Sequence, residues 1–308
     1  MDFNNSRLQQ FLTCPRSFKH RYLVGVVTRK KPTYFVFGEA IHKFIEFFYR
    51  TKDPAMALKQ VVTVFDSVDT TMLNREEMHE LACDKAAATG ISEVYPSFYK
   101  QDFDEFKTFL TEQKFTITLP GTKHRYSGTI DALLQDHAGD WWILETKTAA
   151  AQSLNDDYFE RVKIDSQVAG YMHGGKSIIG SFPRGILYNV IKKPSIRLKA
   201  GESLIAFQQR VKQEYLSFAK EKAYFQRQQL LVATHRLDTW ERDTANLMNE
   251  VHEKIERARK EALKEVTSML FPMNTGACRS NFSSCQFMNA CITDTYNKLL
   301  YEKDRSGK

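Results

Sequence analysis

Long apolar runs are missing from this 308-residue chain. No stretch approaches the ~18 consecutive apolar residues that a membrane-spanning helix requires, which excludes helical spans. The opening MDFNNSRLQQ lacks the charged-then-apolar layout of a secretory signal, so a cytoplasmic protein with no membrane partner is expected. Glycine (14) and proline (8) are sparse and form no linker or tract, and no internal repeat is visible. The chain therefore reads as one domain over 1–308. Cysteine is scarce and odd in number, five in all, which argues against a disulfide framework and for thiols or metal ligands. No G-x-x-x-x-G-K-[ST] loop is present, so ATP-driven unwinding by this chain is not expected. A strong excess of either charge is also missing: 44 Lys and Arg against 37 Asp and Glu leave a net charge of +7, compatible with a polyanionic partner without requiring one.

What is present is ordinary for a globular protein, 42% hydrophobic and 26% charged residues. Leu8, Phe11, Leu12 and Phe18 recur at helical intervals, with Pro15 as a break or first-turn residue. A helix is predicted over 37–50, opened by Gly38, and a mostly helical insertion over about 50–114. β-Branched and aromatic density then rises, predicting strands over 115–119, 126–134 and 141–147, the last two joined by a turn at Asp136–Asp140. A helix over 158–173, a strand over 185–191, a helix over 202–222, an edge strand over 224–231 and a charge-laced helix over 240–266 follow. A cysteine-containing coil closes the pattern.

The chemistry centres on SGTIDALLQDHAGDWWILETKT. Side chains two apart on a strand share a face, so Glu145 and Lys147 project together, and Asp131 on the preceding strand can lie beside them. Facing carboxylates repel unless a cation lies between them, and hard oxygen ligands suit Mg²⁺ or Mn²⁺. A lysine there can orient or deprotonate a water, or neutralise charge developing on a phosphate. Taken alone, an E-x-K triplet is more often an exposed pair. Here the preceding apolar run Trp141–Leu144 implies burial, which is costly for two charges unless they are paired or metal-bound. His42 lies on the first predicted helix, four residues before Glu46, and Gln167 and Tyr171 share one face of a later helix.

The ordered set GEAIH, GTID, LETK and QVAGY resembles the PD-(D/E)XK nuclease superfamily, specifically its RecB-like branch. The resemblance covers most of the chain and is weakest over 50–115. It implies an α/β, restriction-endonuclease-like fold: a mixed central sheet flanked by helices. It further implies that His42, Asp131 and Glu145 bind the metal, that Lys147 serves the catalytic water, and that Gln167 and Tyr171 support them near the scissile phosphate.

Four of the cysteines supply a separate signal: Cys14 stands early, and Cys278, Cys285 and Cys291 cluster late. Four thiolates satisfy either a tetrahedral Zn²⁺ or an iron–sulfur cube. The stretch S-x-L-x-x-F-x-x-C-P ending at Cys14 and Pro15 resembles the iron–sulfur members of the same family, which implies a [4Fe-4S] cluster pinning segments 8–22 and 271–295, although the interval from Cys278 to Cys285 is longer than their usual pattern. Cys83 reads as a small buried hydrophobe.

Basic residues at Arg16, Lys19, Arg21, Arg29, Lys30, Lys31, Lys192, Lys193 and Arg279 are candidates for phosphate contact, and Tyr34, Phe35 and Phe37 for base stacking; solvated faces and core positions are the plain alternatives. The resemblance implies a metal-dependent DNA nuclease, an exonuclease on single-stranded or end-containing DNA. Its setting would be a bacterial or bacteriophage-infected cytoplasm, with recombination or replication proteins as possible partners. The alternatives are a non-catalytic nucleic-acid-binding subunit and a structure-specific endonuclease.

Overall fold

The structure is a computed structural model that describes all residues except 30–32, 150–155, 218–223, 262–268, 280–283 and 305–308. Lys30, Lys31, the side chain of Tyr34 and the ends of the helices predicted over 202–222 and 240–266 lie outside the described residues. The chain divides into two compact units. Unit 1 comprises Met1–Lys31, Thr116–Ser127 and Asp238–Lys308; unit 2 comprises Pro32–Phe115 and Gly128–Leu237.

Unit 1 opens with a short strand β1 (Asp2–Phe3), parallel to the residues Arg125 and Tyr126. Helix α1 (Asn5–Thr13) follows, its first turn closed by the Asn4 side chain accepting from the Arg7 N–H. Pro15 does break the predicted run: it occupies the first turn of α2 (Pro15–Phe18), where its missing N–H costs nothing, and a π-helical turn, Lys19–Leu23, leads to β2 (Val26–Thr28).

Unit 2 begins with α3 (Thr33–Thr51), which starts earlier than the Gly38 boundary predicted for it. Helix α4 (Pro54–Asp66) is capped by Asp53, and α5 (Arg75–Val94) by a reciprocal Asn74–Glu77 capping box. After the single turns α6 (Pro96–Tyr99) and α7 (Asp102–Glu105), strand β3 runs from Phe106 to Thr118, so the helical reading up to residue 114 ends nine residues too late. The segment FKTFLTEQKF carries no Gly or Pro to mark its start, and Glu112 within it takes a left-handed φ of 51° that no propensity foretells.

Strands β4 (Arg125–Asp136) and β5 (Trp141–Ala149) form the expected antiparallel hairpin, with Ala132 opposite Leu144 and Gly139 at φ 96° in the turn. The predicted helix over 158–173 is two helices, α8 (Asp156–Val162) and α9 (Ser166–Ile179), because the Asp165 carboxylate accepts from the Gln167 N–H and starts a new one. They carry the chain to β6 (Gly185–Lys192), which lies parallel to β5. Helix α10 (Leu204–Ser217) leads to the edge strand β7 (Phe225–Leu230), antiparallel to β6. The result is a mixed sheet in the order β4-β5-β6-β7, with β1 and β3 both pairing with β4, flanked by helices. One face of β5 (Trp142, Leu144) joins the apolar core built on α3, α4 and α5. On the other, Ile143 approaches Gly175 of α9.

Helix α11 (Thr234–Glu261) returns the chain to unit 1, where α12 (Met288–Thr293) and β8 (Tyr301–Lys303) close it. β8 pairs antiparallel with β2, and Val26, Phe287, Ala290 and Tyr301 form a small core there.

Close packing fixes α9. The Phe115 ring fills the space where Gly128 and Gly174 have no Cβ; an added Cβ would come within 2.7 Å and 2.5 Å of it. Gly174→Ala is therefore expected to lower stability by about 1–3 kcal/mol through overpacking, and Phe115→Leu in the same chain to recover part of that loss. Thermal denaturation of the two variants checks both.

Candidate active site

Strand alternation places Glu145 and Lys147 on the α9 face of β5 and Thr146 on the opposite, core face. Glu145 is 2% exposed, while Lys147, His42 and Asp131 are partly open to solvent, so the cluster has a buried floor and an accessible rim. Lys147 Nζ lies 2.5 Å from Glu145 Oε1 and donates to Gln167 Oε1 at 2.7 Å. Gln167 in turn donates from Nε2 to the Tyr171 hydroxyl at 2.9 Å. Across from this pair, His42 Nδ1 on α3 stands 3.3 Å from Asp131 Oδ2, an oxygen that also accepts the Thr146 backbone N–H at 3.0 Å. All six residues picked from the sequence thus meet in unit 2.

The electrostatics divide the carboxylates. Burial pushes the Glu145 carboxyl up to about 7, Asp131 adds to that, and Lys147 opposes it. Partial desolvation acts on Asp131 too, but the facing His42 and the Thr146 N–H outweigh it and hold its carboxyl below the usual range. Burial works against the charged forms of Lys147 and His42; their carboxylate partners prevail and raise both. At neutral pH the raised Lys147 amine therefore favours its ammonium form.

Fit to a divalent cation rests on the donor set. Among the described residues Glu145 Oε2 is buried with no hydrogen-bond partner, and it adds a hard anionic oxygen to the cluster that holds Asp131 and the His42 imidazole. In this structure the protein's own cations balance the carboxylates. Among the described residues no group of three or more His, Cys, Asp or Glu side chains is already arranged around a metal position. Two further acids lie close by: Glu46 and Glu112 line a pocket together with His42 and Asp131. Glu46 is paired with Lys43 at 2.6 Å and Arg50 at 2.8 Å. Burial, Asp131 and Glu46 raise the Glu112 carboxyl. Glu112 had no sequence signal, since it falls where a helix was expected.

The same finding applies to the cysteines. Cys14, Cys278, Cys285 and Cys291 share one neighbourhood of unit 1: the Cys285 and Cys291 thiols are raised first by burial and also by the other cysteines' charges. Among the described residues no group of three or more His, Cys, Asp or Glu side chains is arranged to hold a metal, so the four-cysteine cluster expected from the sequence is not shown. Cys14 Sγ lies 3.5 Å from the Asn274 N–H, and Cys291 Sγ 3.3 Å from His20 Nε2. Cys83, expected to be buried, is only partly so, with Sγ 3.7 Å from His79 Nε2 on the next turn of α5.

The candidate DNA contacts vary in availability. Arg16 donates to the Phe271 carbonyl at 2.8 Å and Arg21 lies 3.5 Å from Asp304. Lys193 pairs with Asp84 at 3.2 Å and lies over the Phe37 ring, which is fully buried, whereas Phe35 is 52% exposed. Lys192 uses its backbone N–H on Tyr224 and keeps a partly exposed side chain.

A raised carboxyl has a stability consequence. With about 7 in the folded protein against 4.5 unfolded, ionising Glu145 costs nothing below pH 4.5 and its full penalty above pH 7. Glu145→Gln in metal-free protein is therefore expected to melt at or above the wild-type temperature at pH 8, with the advantage shrinking as pH falls from 7 towards 4.5. Melting curves across that range check the sign.

A model of the PD-(D/E)XK nuclease superfamily matches residues 2–292. No curated protein matches. Among solved structures, one described as "Crystal structure of SSO0001" matches at 11% identity and a TM-score of 0.23, over 69% of this chain and 82% of its own. With nearly its whole length matched by the family model, this chain belongs to the PD-(D/E)XK nuclease superfamily.

Proposed function

We propose that the protein is a Mg²⁺- or Mn²⁺-dependent deoxyribonuclease, an exonuclease of the RecB-like kind that hydrolyses single-stranded or end-containing DNA. Superfamily membership supports phosphodiester hydrolysis. The observation that carries the site assignment is the unpartnered, buried Glu145 Oε2 beside Asp131, His42 and Lys147. His42, Asp131 and Glu145 would hold the ion, which supplies Lewis-acid stabilisation of charge on the phosphoryl group when bound. Lys147 Nζ carries its proton at neutral pH, held in place by Glu145 Oε1 and Gln167 Oε1, and is placed to neutralise a phosphate oxygen. Tyr171, through Gln167, fixes where that ammonium stands.

A metal centre on Cys14, Cys278, Cys285 and Cys291, iron–sulfur or zinc, is a second reading, favoured by the convergence of the four thiols in unit 1. Its role would be structural, because it would close a very long loop. Metal and acid-labile sulfide analysis of anaerobically purified protein tests it. Cys285→Ser is expected to lose bound metal and to melt lower, whereas a colourless, metal-free and fully stable wild type would overturn it.

The nuclease reading is tested by time courses on end-labelled single-stranded, duplex and closed circular DNA with Mg²⁺, Mn²⁺ or chelator. Metal-dependent loss of linear DNA with intact circles is expected, reduced at least ~100-fold in Lys147→Ala. Digestion of circles would replace the exonuclease with an endonuclease, and no cleavage under any condition would leave a binding subunit. Because Asp131 raises His42, a proton competes for the imidazole above the usual histidine range. Half-maximal activation is thus expected to need more Mn²⁺ at pH 6.5 than at pH 8.

A further inference from the structure

Behind the candidate site lies a polar row that a core has no packing reason to contain. Thr146 on β5 pairs in register with Asn189 on β6, and Asn189 with Arg227 on β7. Thr146 and Asn189 are fully buried, and Arg227 is 14% exposed at its side chain. They share the core face, among Leu144, Leu187 and Phe225. Asn189 Nδ2 donates to Thr146 Oγ1 at 3.4 Å and to the Tyr95 hydroxyl at 3.2 Å. The Arg227 guanidinium forks to Asp102 Oδ2 at 2.7 Å and to the hydroxyls of Tyr49 at 2.9 Å and Tyr95 at 3.2 Å. Tyr49 also donates to Asp102.

The row is costly. Replacing a buried ion pair with apolar groups of the same shape is often neutral or stabilising, and here Arg227 Nε and Asn189 Oδ1 are buried with no hydrogen-bond partner among the described residues. Its two ends explain its use. Tyr49 lies on α3 two turns beyond His42, so the Arg227–Asp102 pair anchors the helix that carries that imidazole. Thr146, held from its side chain by Asn189, presents the N–H that fixes Asp131 Oδ2. One buried ion pair thus reaches both members of the His42–Asp131 contact by separate routes.

We propose that Arg227, Asp102, Tyr95 and Asn189 are positioning residues that set His42 and Asp131 relative to each other from the opposite face of the sheet. This rests on the nuclease reading for its catalytic consequence, but not for the mechanical link itself. Partners that orient direct ligands commonly control activity without touching substrate, since displacements near 1 Å already cost rate.

The test compares Tyr95→Phe and Asn189→Leu with Tyr99→Phe, whose ring lies 3.8 Å beneath the Arg227 guanidinium in the same aromatic core. Hydrogen exchange at the Thr146 amide in metal-free protein reads the link without any catalysis. Cleavage kinetics read its consequence. Tyr95→Phe is expected to speed Thr146 exchange and to lower kcat roughly tenfold with KM little changed, while Tyr99→Phe does neither. Asn189→Leu repeats the measurement should Tyr95→Phe not fold. Unchanged Thr146 exchange in a folded variant, or an equal fall in Tyr99→Phe, would overturn the proposal. A wild type that cleaves no DNA would instead defeat the nuclease reading, with the exchange measurement still deciding the link.

Discussion

A carboxylate buried at the end of an apolar strand is the constraint on which the rest of the site depends. Glu145 follows Trp142, Ile143 and Leu144 into the sheet interior, where an ionised group is stabilised only by a cation placed against it. Lys147 meets that need from the same strand, because alternation brings residues two apart onto one face, and α9 then supplies Gln167 to hold the ammonium. The parallel placement of β6 beside β5 buries the strand on both sides and forces the crossover through α8 and α9 that delivers Gln167 and Tyr171.

Unequal environments separate the two acids. Asp131 faces an imidazole and a backbone N–H and stays ionised; Glu145 lies deeper and has one oxygen without a hydrogen-bond partner among the described residues. Such a pair is poorly suited to stability and well suited to receiving a cation, which is how membership of a nuclease superfamily and the local electrostatics agree. In the cysteine neighbourhood of unit 1, Cys14 contacts the Asn274 N–H and Cys291 the His20 imidazole.

The fold was readable where a strong local signal exists. Asp136–Asp140 marks the hairpin, and the apolar run into ETK marks β5. Errors fell where the signal is tertiary: β3 begins at Phe106 because it finds a partner in β4, and the 158–173 helix divides because Asp165 caps a second one. The E-x-K spacing and the ordered motifs singled out His42, Asp131, Glu145, Lys147, Gln167 and Tyr171, whereas Glu112, Asn189 and Arg227 carry no motif.

By itself, then, the sequence determined which residues share a strand face, which follows from spacing along one chain, and its ordered motifs carried the resemblance to the superfamily that the family match bears out. Only the tertiary structure decided which charges neutralise which, that Lys147 keeps its proton, and that Glu145 is the buried acid. Burial and pairing depend on neighbours as distant in sequence as His42 and Asp131, or Asp102 and Arg227, and desolvation has no meaning until those segments pack.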